Sequence, residues 1–116
     1  MIDWFQLVGD AIDGIVESLW HADDGETSVA LALGMDVDMS KAVKEVPKKP
    51  FKDLETKIAG VSSRRFFSPW TRVSERSKSG VQGDATLATK EKGEKIVAMV
   101  VKRSIGIIKE LLEYPY

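Results

Sequence analysis

Apolar side chains open the chain at Trp4, Phe5, Val8, Ala11, Ile12, Ile15, Val16, Leu19 and Trp20. Their spacing is close to 3.6 residues and predicts an amphipathic helix over residues 3–20. Asp3 is placed to cap it, with Asp10 and Asp13 on the outward side. Gly9 and Gly14 each weaken a helix by about 1 kcal/mol relative to alanine. The helix therefore needs tertiary packing to pass Gly9, or it breaks there. A polar loop follows over residues 21–25. A short helix is expected over residues 26–33, ended by Gly34 and buried on most sides by its small and apolar residues. Ser40 is placed to cap a further helical turn over residues 41–45.

The pattern then weakens. Residues 46–63 read as loop, broken by Pro47 and Pro50 and kept wet by Lys48, Lys49 and Lys52. Residues 64–74 predict one or two short extended stretches. Pro69 lacks an N–H, so a strand here is an edge or a bulged one. Residues 77–85 read as a turn-rich loop. Residues 89–113 predict a long terminal helix with an apolar stripe of Ile96, Val97, Val100, Val101, Ile107, Ile108, Leu111 and Leu112. At 1.5 Å per residue it spans about 37 Å. Gly93 and Ser104 on the stripe favour close packing, and Pro115 stops the helix.

Few β-branched runs are present, so the sequence holds little sheet of its own. Three or four helices and a ragged hairpin make a thin architecture for 116 residues. The length predicts a single domain over residues 1–116 with one modest core. Trp4, Phe5, Ile12 and the terminal stripe read as core, or, because they exceed what so little sheet can cover, as an interface.

The net charge of −1 hides an asymmetry. Residues 1–40 carry nine acids and no lysine or arginine, and residues 41–78 carry eleven basic residues against four acids. Such a chain folds acid against base or turns one pole to a partner. Glu45, Asp53, Glu55 and Glu75 dilute the basic middle, where Phe51, Phe66, Phe67 and Trp70 are interleaved. Core aromatics beside solvated lysines therefore outweigh a single-stranded nucleic-acid surface.

The absence of cysteine excludes disulfides, thiolate catalysis, zinc fingers and Fe–S ligation. One histidine excludes a multi-histidine metal site within one chain. The most apolar stretch is stopped by Lys102 and Arg103, far short of the about 20 residues a membrane span needs. The N-terminus carries Asp3 and no basic residue, unlike a secretory signal, so the expected location is the cytoplasm. Asp23, Asp24, Asp36 and Asp38 do not have EF-hand spacing and read as a solvated acidic surface rather than a cation site. Gly80, Gly83 and Asp84 before a helix do not form a phosphate-binding loop. They read as turn geometry, with Asp84 accepting from backbone N–H groups.

Two segments carry a family resemblance. Residues 21–33 read His-Ala-Asp-Asp-Gly-Glu-Thr-Ser-Val-Ala-Leu-Ala-Leu, and residues 79–95 contain Gly80, Gly83, Asp84, Ala88, Thr89, Glu91, Lys92 and Gly93 in order. Together they resemble the creatininase (creatinine amidohydrolase) family. The first matches a His-Ala/Gly-x-x-x-Glu-Thr-Ser signature. The second matches a Gly-x-x-Gly-Asp-Pro-x-x-Ala-Thr-x-Glu-Lys-Gly segment, with Ala85 where proline is usual. The stretch over residues 35–43 also looks like the family's.

The resemblance implies an α/β fold of creatininase-like α/β/α layers, here its helix-rich C-terminal part with a short β-hairpin and a long terminal helix. It implies hydrolysis of a cyclic amide or formamide C–N bond at a two-metal centre. The family's Glu-x-His, Asp and Gly-His-x-Glu metal ligands have no counterpart in this sequence. The resemblance thus carries over no metal ligand, and a divalent metal (Zn or Mn) is expected only with a partner that supplies the N-terminal half.

His21 matches the family histidine that passes protons to the amide nitrogen, a task suited to an imidazole. Without the resemblance it reads as an ordinary loop histidine. An acid precedes that histidine in creatininase proper, where this chain has Trp20. Glu26 reads as an acceptor orienting a catalytic group or as a first-turn helix glutamate. The expected partners are a second copy or a chain carrying the N-terminal half, with a small-molecule amide as substrate and no membrane. The alternative is a non-catalytic, creatininase-like remnant acting as a structural or oligomerisation subunit.

Overall fold

A computed structural model describes residues 3–46 and 73–115. Nearly all of the expected loop over residues 46–63 and most of the expected extended stretch over residues 64–74 lie outside the described residues.

Helix α1 covers only Trp4–Val8, capped by Asp3, whose carboxylate accepts from the Phe5 N–H at 3.0 Å. The helix expected to reach residue 20 instead breaks at Gly9. Turns follow, and Gly14 takes a left-handed φ of 84° that a helix interior does not allow. The apolar pattern is nonetheless a sound guide to burial. Val8 and Val16 join Ile96 in the core, with Trp4, Leu7, Ile12, Ile15 and Leu19 packed against them. Turns carry those residues inward in place of the remaining helical turns.

Helix α2 covers Asp24–Ala32. It begins two residues before the expected start because Asp23 caps it, accepting from the N–H groups of Gly25 and Glu26 at 3.1 and 3.2 Å. Gly34, at φ 72°, closes its far end, where the Met35 N–H donates to the Ala30 carbonyl. The next turn is a 3₁₀ turn over Met39–Lys41, capped by Asp38 rather than Ser40. The expected helix over residues 41–45 is absent, and Lys44–Glu45 form strand β1.

The described chain resumes with the short helix α3, Val73–Arg76, so the expected extended stretch ends in helical backbone. Strand β2, Gly83–Asp84, pairs antiparallel with β1, matching Lys44 to Asp84 and Glu45 to Gly83. The described sheet is therefore a long-range pair and not a local hairpin. A 3₁₀ turn over Ala85–Leu87 leads into α4, Lys90–Glu113, capped by the Thr89 hydroxyl.

Helix α2 lies closely on α4. A methyl group added at Gly93 would overlap the Ser28 carbonyl, so glycine is what lets the two backbones approach. The Ser28 hydroxyl accepts from the Thr89 N–H at 3.1 Å and ties the start of α4 to α2. Acid does meet base here: Asp10 pairs with Arg103 and Asp24 with Lys92, joining the acidic first forty residues to the terminal helix. Past Val100 the helix has little cover: Val101, Ile105, Ile108, Leu111 and Leu112 are all exposed. The described fold is helix-rich with two short strands, as expected from the family resemblance.

Candidate functional site: the His21 loop

The loop over residues 20–23 hangs between α2 and the segment before α4. Asp23 is fully buried and holds it from both sides. One carboxylate oxygen caps α2, and the other accepts from the Trp20 N–H at 2.7 Å. Asp23 with Glu26 three residues later has the spacing of a capping box. Here Glu26 reaches one residue further back, and its Oε2 accepts from the Ala22 N–H at 2.6 Å. That bond holds Ala22 at a left-handed φ of 48°, uncommon for a residue with a Cβ.

His21 forms an isolated antiparallel bridge with Gln82, whose N–H donates to the His21 carbonyl at 2.9 Å. Gln82 also accepts from the Trp20 indole N–H at 3.1 Å. The backbone of His21 is therefore pinned, whereas its imidazole stands 53% exposed. Its Nδ1 lies 3.7 Å from Glu26 Oε2. That separation is too long for a hydrogen bond. The structure thus brings His21 and Glu26, the two residues singled out in the sequence, to one place.

Asp23 and Asp24 are not the solvated surface expected of them. Asp24 is fully buried at the first turn of α2, where a negative charge is favoured. It accepts from the Glu17 N–H at 3.0 Å and from the Lys92 ammonium at 2.9 and 3.0 Å. Lys92 also donates to the Leu87 carbonyl at 2.8 Å. Asp36 and Asp38 are exposed, as expected.

Beyond the bridge, the Lys44 ammonium lies 3.0 Å from the Asp84 carboxylate. The Thr86 hydroxyl and then Lys44 hold the Asp84 carboxyl below its ordinary range, and Asp84 raises Lys44 in turn. Asp84 accepts from the Thr86 N–H at 3.1 Å, the turn role expected of it. Glu45 accepts from the N–H groups of Lys78 and Ser79 at 2.6 and 2.9 Å and from the Ser79 hydroxyl at 2.5 Å. Those bonds, the Ser79 hydroxyl foremost, lower the Glu45 carboxyl to about 2.

Sequence reasoning missed Gln82, Lys92 and the burial of the two aspartates. The capping-box spacing of Asp23 and Glu26 was a usable signal for one of them. Nothing local announces that Lys92 reaches Asp24 or that Gln82 reaches Trp20.

A family model described as Creatininase: Creatinine amidohydrolase matches residues 4–108. The chain belongs to the creatininase family. No curated protein and no solved structure gave a match. Membership implies an amidohydrolase-like function at that coarse level, and creatininase-family proteins are generally metal-dependent and often oligomeric. Among the described residues no three His, Cys, Asp or Glu side chains are grouped to hold a metal ion. The buried carboxylates are already taken up by N–H groups and Lys92, so these residues do not fit the family's metal centre. No described helix is long and apolar enough to cross a membrane.

Proposed function

We propose that this chain, acting as one domain, is a part or subunit of a creatininase-like amidohydrolase. In this reading it contributes to hydrolysis of a cyclic amide or formamide C–N bond when the family's N-terminal half is supplied elsewhere. The observation that carries the reading is the placement of His21. The family histidine stands on a loop pinned by Asp23, Glu26 and Gln82, with its imidazole free to meet a ligand and Glu26 beside it.

His21 carries the proton. Its neutral imidazole accepts one from the water that attacks the carbonyl carbon, and the imidazolium delivers it to the amide nitrogen as the C–N bond breaks. Glu26 stands beside the ring and serves as the strut that holds Ala22. A divalent metal, zinc or manganese, belongs to the partner's ligand set in this proposal and not to this chain.

The exposed aliphatic stripe on α4 favours a second reading, a non-catalytic structural or oligomerisation subunit. Native mass spectrometry of the purified chain separates the two. Bound metal or a second polypeptide above the monomer mass supports the amidohydrolase reading. A metal-free species built from this chain alone supports the second.

A further inference from the structure

We infer that Gln82 is the positioning residue for His21. This rests on the reading of His21 as the proton-transferring group. Gln82 is only 6% exposed and 61 positions away in sequence, yet it grips two consecutive residues of the histidine loop. Its N–H holds the His21 carbonyl, and its side-chain carbonyl holds the Trp20 indole.

Two features make this grip matter. The imidazole is more than half exposed, so its pinned backbone is its main anchor to the fold. Trp20 is itself 56% exposed, so its side chain is located by the Gln82 bond more than by burial. The clamp also has a firm base. Gly83 follows Gln82 at φ 150°, and a Cβ there would come within 2.7 Å of the Asp23 Cβ and 2.9 Å of the Ser18 hydroxyl. The segment therefore lies flush against the loop. From there it runs through Asp84 and the 3₁₀ turn into α4, which fixes the loop to the longest helix of the described fold. A reacting group displaced by about 1 Å loses about a hundredfold in rate, so such a brace has a catalytic consequence.

The test compares Gln82→Leu, which removes the acceptor, with Gln82→Glu, which keeps one. His21 is the sole histidine, so the carbon–proton order parameter of its imidazole is read by NMR without ambiguity. Gln82→Leu is expected to lower His21 order and to cut protection of the Trp20 indole N–H about tenfold. Gln82→Glu preserves both. Trp20→Phe removes the same bond from the other side, on a residue that is 56% exposed, and has the same effect on His21. In an assembly that turns over amide, Gln82→Leu lowers kcat by roughly tenfold to a hundredfold with KM unchanged. The inference is overturned if His21 order is unchanged in both Gln82→Leu and Trp20→Phe, whether or not the indole protection is lost. The underlying reading fails separately, by full turnover in His21→Ala.

Discussion

The two ends of the long helix meet opposite surroundings. At its start, α4 lies against α2 with glycine at the closest approach, a serine hydroxyl bridging to Thr89, and a buried Asp24 held by Lys92. Its last three turns present Val101, Ile105, Ile108, Leu111 and Leu112 to solvent. The first region commits its polar groups to internal bonds and leaves one imidazole exposed. The second leaves a continuous aliphatic face without cover among the described residues. The two motif segments that carry the family resemblance fall in the first region, and the exposed aliphatic face falls in the second.

The contrast predicts a steep gradient of mutational effects. Asp24→Ala removes a fully buried carboxylate that accepts from Glu17, Ser28 and Lys92. Breaking such a pair is expected to destabilise the chain by about 3 kcal/mol, read as a lower denaturation midpoint. A cost below about 0.5 kcal/mol would mean that the junction of α2 and α4 does not hold the fold together.

The Glu45 clamp on the Lys78–Ser79 loop comes next. Its carboxyl is lowered to about 2 in the folded chain, below its ordinary 4.5. A depressed carboxyl contributes stability that is present above its unfolded value and is lost as pH falls toward the folded one. Glu45→Gln is therefore expected to flatten the stability profile between about pH 5 and pH 2. An unchanged slope in that window would show that the loop is held by other bonds.

The smallest effect belongs to the far end of α4. Leu112 is 81% exposed, so Leu112→Lys is expected to change the stability of the isolated chain by less than about 0.5 kcal/mol. A larger loss would reveal cover that the described residues do not supply. If the stripe is a docking face, the same substitution weakens assembly, measured by sedimentation.

Much of this was legible in the sequence, for separable reasons. The terminal helix declared itself through length, period and the stop at Pro115, whereas α2 was placed two residues late because Asp23 was read as surface and not as its cap. The opening helix misled because turns around Gly9 and Gly14 bring inward many of the apolar residues that a helix would, Trp20 excepted. The strand pair was hidden because Lys44–Glu45 and Gly83–Asp84 are two residues each and far apart in sequence, too short for an alternating pattern. His21 and Glu26 were singled out by family resemblance and not by any local pattern. The burial of Asp24 depends on Lys92, 68 positions away, and no local pattern encodes that distance.

The most direct test is amide turnover by the assembly that contains this chain, assayed on cyclic amides and formamides with His21→Ala beside the parent. Turnover should fall to background while the mass of the assembly stays unchanged. Full residual activity in His21→Ala would contradict the role assigned to the histidine loop.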